Sequence, residues 1–131
     1  MEAGFRKVLN AKIHGAIVTD ANIAYEGSIT IPDDLLHITG LLPHEAVWVW
    51  NVTTGARFET YILRGVAHSK EFHINGAAAH LATRGDTIII AGFTFLPFAE
   101  ARTHTPIAVF LAPDNSIATI RDERPATVVA A

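Results

Sequence analysis

The sequence contains no cysteine. Disulfides, thiolate nucleophiles and cysteine-ligated zinc are thereby excluded, which leaves chemistry run by hydroxyl, amide, carboxylate and cationic groups. Charge is also sparse: Asp, Glu, Lys and Arg make up 18% of the 131 residues, with a formal net charge of -3. There is no basic stripe to track phosphates, so nucleic acid is not expected as a partner. No apolar run approaches the roughly 18 to 20 residues that a bilayer crossing takes. Met1-Glu2-Ala3-Gly4 begins nothing like a secretory signal, so the expected compartment is the cytoplasm and no membrane is expected as a partner. Metal and phosphate motifs are missing too. The histidines at 14, 37, 44, 68, 73, 80 and 104 form neither H-x-H nor HExxH and have no acidic cluster beside them, so no metal is expected. The glycines form neither G-x-G-x-x-G nor a Walker loop.

Hydrophobic residues, by contrast, reach 50%. This excludes disorder, supports one domain over residues 1–131 with a substantial core, and suggests that some apolar surface meets another subunit. Runs rich in Val, Ile, Phe, Trp and Thr at 11–19, 47–52, 57–63, 87–95 and 106–112, separated by Gly, Pro or Asp, predict a mainly β fold of the small-barrel kind. Pro32-Asp33-Asp34 opens one helix that Gly40 and Pro43 close, and Ala77 to Ala82 predicts a second after the Asn75-Gly76 turn. From Ser116 the tail carries Arg121-Asp122-Glu123-Arg124-Pro125, which reads as a solvated or subunit-crossing end.

The segment with the most chemical content is Tyr25-Glu26-Gly27-Ser28. Alone, Gly-Ser reads as a bend between strands. Lys12-Ile13-His14 stands upstream. Trp50-Asn51-Val52-Thr53-Thr54-Gly55-Ala56-Arg57-Phe58, Thr60-Tyr61 and Asn75-Gly76-Ala77-Ala78-Ala79-His80 follow downstream. In this order and spacing the set resembles the pyruvoyl-dependent aspartate 1-decarboxylases, from about Phe5 to the Thr103 region. Leu81 stands where relatives carry cysteine. The resemblance implies a six-stranded double-psi β-barrel with short helices, assembled as a homotetramer with active sites between neighbouring subunits. It also implies a zymogen that cuts itself between Gly27 and Ser28 into a β chain, 1–27, and an α chain, 28–131, and it leaves room for a maturation factor.

A serine hydroxyl is a weak nucleophile, so such a cut depends on strain and positioning. Gly27, having no Cβ, is expected to take backbone angles closed to other residues. Attack of Ser28 Oγ on the Gly27 carbonyl moves the acyl group from nitrogen to oxygen, and intramolecular alignment of this kind can remove roughly 7 to 11 kcal/mol of barrier. Elimination from the ester leaves dehydroalanine, which hydrolyses to a pyruvoyl group and ammonia. By resemblance, Thr60 hydrogen-bonds the Gly27 carbonyl as it becomes an oxyanion, and Tyr25 bonds near the cut. Neighbours in a regular strand face opposite ways, so either the strand is distorted at Thr60-Tyr61 or the two act from different sides.

The pyruvoyl ketone is the expected cofactor, taking the substrate amine as a Schiff base and serving as an electron sink. The implied reaction turns L-aspartate into β-alanine and CO2, feeding pantothenate and coenzyme A synthesis. Lys12 and Arg57 match the cations that bind the substrate's carboxylates, and Tyr61 matches the proton donor. Asn75, Gly76, Ala77, Ala78 and Trp50 complete the implied pocket. Arg57 and Tyr61 share one strand parity and are expected to face one cavity. Two alternatives stand beside this reading: a pyruvoyl decarboxylase of another acidic amino acid such as glutamate, and an uncleaved double-psi barrel acting as a binding module.

Overall fold

Five strands form where β-branched and aromatic residues concentrate, and four more form where the sequence gives weaker signals. The computed structural model describes residues 4–123, over which the chain forms β1 (Phe5–Ile17), β2 (Asp20–Asn22), β3 (Ser28–Pro32), α1 (Asp33–Thr39), β4 (Ala46–Asn51) and β5 (Arg57–Gly65). β6 (His73–Asn75), a 3₁₀ turn (Gly76–His80), β7 (Thr87–Pro97), α2 (Phe98–Ala101), β8 (Ile107–Leu111) and β9 (Ile117–Asp122) follow. The strands form one sheet in the order β2-β6-β3-β5-β4-β7-β1-β8-β9. The fold is mainly β, as expected, but the described residues hold nine strands rather than six. The excess lies in short or exposed pairings: β2 and β6 are three residues each, and β9 is exposed along its whole length. Pieces this short or this exposed carry almost no hydrophobic pattern for the sequence to show.

β1 and β7 form the long antiparallel pair, with register shifts between Leu9 and Ala11 and between His14 and Ala16 that bend the strand. β1 also runs parallel to β8, and β3 runs parallel to β5. The core holds Ile13, Ile31, Val49, Ile62 and Ile90 from the strands and Phe72 from the loop before β6, all with no exposed surface. Each Ile, Val or Phe fully buried in this way contributes about 1.5–3 kcal/mol.

The helices are brief. α1 begins after Pro32 with Asp33 and Asp34 in its first turn, buries Leu35 and Leu36, and ends at Gly40, whose φ of 76° lets its N–H reach the Leu36 carbonyl at 2.8 Å. The second helix, expected over 77–82, is a single 3₁₀ turn closed by Leu81 and Ala82 N–H groups on the Ala78 carbonyl. Asn51 ties this turn to the sheet, since its buried amide donates to the Leu81 carbonyl and to Asp86. α2 has no counterpart among the expected elements. Of the charged tail, Arg121 and Asp122 end β9, while Arg124 and Pro125, like Met1–Ala3 at the other end, lie outside the described residues. Among the described residues no helix is long and apolar enough to cross a membrane.

Candidate active site

Side chains alternate across a strand, so three neighbouring strands in register present their alternate residues to one side. Ser28 pairs with Asn75 across β3 and β6, and Ile29 pairs with Ile62 across β3 and β5. One residue earlier on each of the latter two strands stand Ser28 and Tyr61. Ile29, Ile62 and Ile74 turn into the core. The opposite parity, Ser28 and Thr30 of β3, Tyr61 and Leu63 of β5, and His73 and Asn75 of β6, lines a cleft of about 750 Å³. Ala24, Tyr25 and Glu26 complete it from the segment before Ser28, and His44 completes it from the loop before β4.

Ser28 has no exposed surface of its own. Its Oγ accepts a hydrogen bond of 2.9 Å from Asn75 Nδ2, which also reaches Thr30 Oγ1 at 3.3 Å. The hydroxyl in turn lies 3.5 Å from the Glu26 carbonyl. The amide contact restrains where the buried Oγ sits, and restraint of this kind favours an intramolecular attack.

Gly27 lines a second cavity, of about 240 Å³, with Phe58, Glu59, Thr60, Ala77, Ala78 and Leu81. β4 and β5 pair without interruption from Trp50↔Arg57 to Ala46↔Tyr61, so the strand is regular and Thr60 and Tyr61 face different sides. Thr60 shares a cavity with Gly27, and Tyr61 shares one with Ser28. The backbone strain expected at Gly27 is not there: its φ lies outside the left-handed region, and a Cβ would meet nothing nearer than the Asn75 carbonyl oxygen at 3.9 Å. The demanding glycine is Gly76. Its φ is 69°, and a Cβ there would lie 2.6 Å from both Gly27 Cα and the Tyr25 carbonyl oxygen. The 3₁₀ turn and the Tyr25–Gly27 segment touch backbone to backbone.

Arg57 and Lys12 stand elsewhere. Arg57 is exposed, with its guanidinium 5.6 Å over the Trp50 ring, and it lines a separate hollow of about 300 Å³ with Trp48, Trp50 and Phe93. It shares a strand face with Tyr61 but not a cavity. Trp50 belongs to the Arg57 hollow and packs edge-on against Phe93. Lys12, on β1, forms a 2.6 Å ion pair with Glu123. Near it the buried Nδ1 of His14 has no hydrogen-bond partner among the described residues, and burial, with the charge on Lys12, lowers the pKa of that imidazole.

Thr30, Leu63, His73, Glu26 and His44 line the main cleft without having been expected there. Counting two residues on from Ser28 and Tyr61, and two back from Asn75, reaches the first three. His44 has no such signal: it takes φ of 72° and stacks against Tyr61 at 6.4 Å between ring centroids. Among the described residues no group of three or more His, Cys, Asp or Glu could hold a metal ion.

Sheet and cleft together define a small β protein with an enzyme-like site, a wide cleft floored by a buried, hydrogen-bonded serine. Comparison with known proteins narrows this class. Residues 4–118 match the family model described as aspartate decarboxylase, and the chain belongs to that family. It is 50% identical over 120 residues to an aspartate 1-decarboxylase of Legionella pneumophila (strain Paris), covering 92% of this chain and 90% of that one. A Geobacillus sp. aspartate 1-decarboxylase is 44% identical over 125 residues, covering 95% and 98% of the two chains. One from Rhodopirellula baltica is 43% identical over 123 residues, covering 94% and 79%.

Proposed function

We propose that the chain is a self-processing carboxy-lyase that converts L-aspartate to β-alanine and CO2, for pantothenate and coenzyme A synthesis in the cytoplasm. Family membership supports the reaction. The observation that supports the mechanism is that the two residues of the Gly27-Ser28 bond line different cavities, Ser28 with Tyr61 and Gly27 with Thr60.

In maturation, Ser28 Oγ attacks the Gly27 carbonyl carbon while Asn75 holds the hydroxyl in place. Thr60, on the Gly27 side, donates to the oxygen as negative charge develops there, a contribution of a few kcal/mol for a positioned donor. The proton from Oγ passes to the departing amide nitrogen; loss of the residue 28 α-proton then breaks the Cβ–O bond and expels the Gly27 carboxylate, and water hydrolyses the resulting dehydroalanine to the ketone with release of ammonia. The buried, amide-held Ser28 opening on a cleft fits the pyruvoyl group it would become, which supplies the electron sink for loss of CO2. The chain's own residues do the rest. Tyr61, on the Ser28 side, delivers a proton to the substrate carbon. Asn75 and Tyr25 bond polar atoms around residue 28, while Gly76, Ala77 and Ala78 keep the turn close and small. Lys12 and Arg57 bind the two carboxylates.

Because neither cation lines the Ser28 cleft of its own chain, the reading includes a homotetramer in which a neighbouring subunit brings them there. The sheet is taken to close as a double-psi barrel, a reading supported by its three parallel pairs, β1 with β8, β3 with β5 and β2 with β6. The test is the intact mass of purified protein after incubation or mild heating. The parent should yield fragments of 27 and 104 residues, the latter being 131 minus 27, with the larger blocked at its amino terminus. Ser28→Ala should remain one chain. A cut at the same bond in that variant would overturn the acyl shift.

A further inference from the structure

Lys12 already has a carboxylate on it. Glu123 Oε2 lies 2.6 Å from Lys12 Nζ, with the two side chains 21% and 16% exposed. That oxygen is buried and has no other polar partner among the described residues. The contact crosses a strand. Lys12 sits on β1 opposite Ala108 of β8, and Ala108 in turn faces Arg121 of β9. Glu123 follows directly after β9, its N–H anchored to the Pro106 carbonyl at 2.7 Å. Around the Phe110 ring stand the guanidinium of Arg121 at 4.4 Å, Lys12 Nζ at 5.8 Å and the His14 imidazole at 5.2 Å. Two of these groups, Arg121 and Lys12, are cations, and Glu123 sets a carboxylate against the second.

Resting on the proposed role of Lys12, we propose that Glu123 stands in for the substrate: its carboxylate occupies the Lys12 ammonium until a carboxylate of the amino acid displaces it, so Glu123 sets the apparent affinity for aspartate. The two carboxylates are chemically alike, and Lys12 is a point charge that makes one such contact at short range. Because the backbone of Glu123 is pinned by Pro106, exchange needs only its side chain to swing away.

The test is steady-state kinetics on processed protein, normalised to the cut chain, for the parent, Glu123→Gln, Glu123→Asp and Lys12→Ala. Glu123→Gln keeps the shape and removes the charge. Its KM for aspartate should fall roughly two- to fivefold, the size of a partly exposed ion pair, with the change falling on KM rather than kcat. Glu123→Asp, which keeps the charge on a shorter arm, should lie between this variant and the parent. The gap between parent and Glu123→Gln should close as salt is raised, which a loss of folding alone would not produce. Lys12→Ala should raise KM. An unchanged or raised KM in Glu123→Gln, beside a raised KM in Lys12→Ala, would overturn the stand-in role while leaving Lys12 in the site. An unchanged KM in Lys12→Ala would remove Lys12 from substrate binding, and the inference with it.

Discussion

At Gly76 one missing Cβ decides whether the cleavage segment can lie where it does. The residue combines a left-handed φ with a backbone that rests on Tyr25–Gly27. Gly76→Ala should therefore incur about 1–2 kcal/mol for the left-handed conformation alone, and it should also push Gly27 away from the turn. Denaturant unfolding should report the first effect, and the half-time of the cut, followed by intact mass, should report the second. Normal stability with normal cutting would mean that the turn moves aside freely. The sequence marks glycine at both 27 and 76 but does not say which one needs the freedom, because the need arises from contact between segments about fifty residues apart. Ser28, Asn75 and Tyr61 line one cleft. Lys12, Arg57 and Trp50 do not, because strand parity orders residues along one face and says nothing about how far along the sheet a cavity extends.

Within β5 the alternation of a regular strand divides two jobs between adjacent residues. Thr60 turns to the Gly27 side and Tyr61 to the Ser28 side, so substitutions there should separate the cut from the turnover. Thr60→Ala should slow the cut by about 10²- to 10³-fold, as loss of an oxyanion donor does. Tyr61→Phe should cut normally and then lose roughly 10²- to 10⁴-fold in turnover. Time courses of intact mass, set beside rates of β-alanine release per cut chain, distinguish the two. If Tyr61→Phe fails to cut, its hydroxyl belongs to assembly of the junction instead. The strands β1, β4, β5, β7 and β8 and the helix α1 are legible in the sequence because each carries a hydrophobic run or a Pro-Asp-Asp opening. β3 is not, since Ser28–Pro32 reads as a turn leading into a helix start. β2, β6 and β9 exist only through the partners that complete their hydrogen bonds.

On the scale of the whole molecule, the proposed cations and the serine cleft occupy separate surfaces of one chain, so full activity should require more than one copy. Ser28→Ala and Arg57→Ala should each be inactive or nearly so when expressed alone. Co-assembled, they should recover activity at about a quarter of sites for random pairing of subunits in a symmetric oligomer. No recovery would place Arg57 in the same chain's site or outside the site altogether. The middle of the sheet has a different consequence for the cut protein. β1, which pairs with both β7 and β8, lies wholly on the amino-terminal side of Gly27-Ser28, so the proposed cut there would leave an interior strand attached by packing and hydrogen bonds alone. Folding then changes its molecularity: what was one chain collapsing becomes two peptides associating. The unfolding midpoint of cut protein should rise with its concentration beyond any rise shown by Ser28→Ala, and once the halves are separated in denaturant, dilution alone should limit their return.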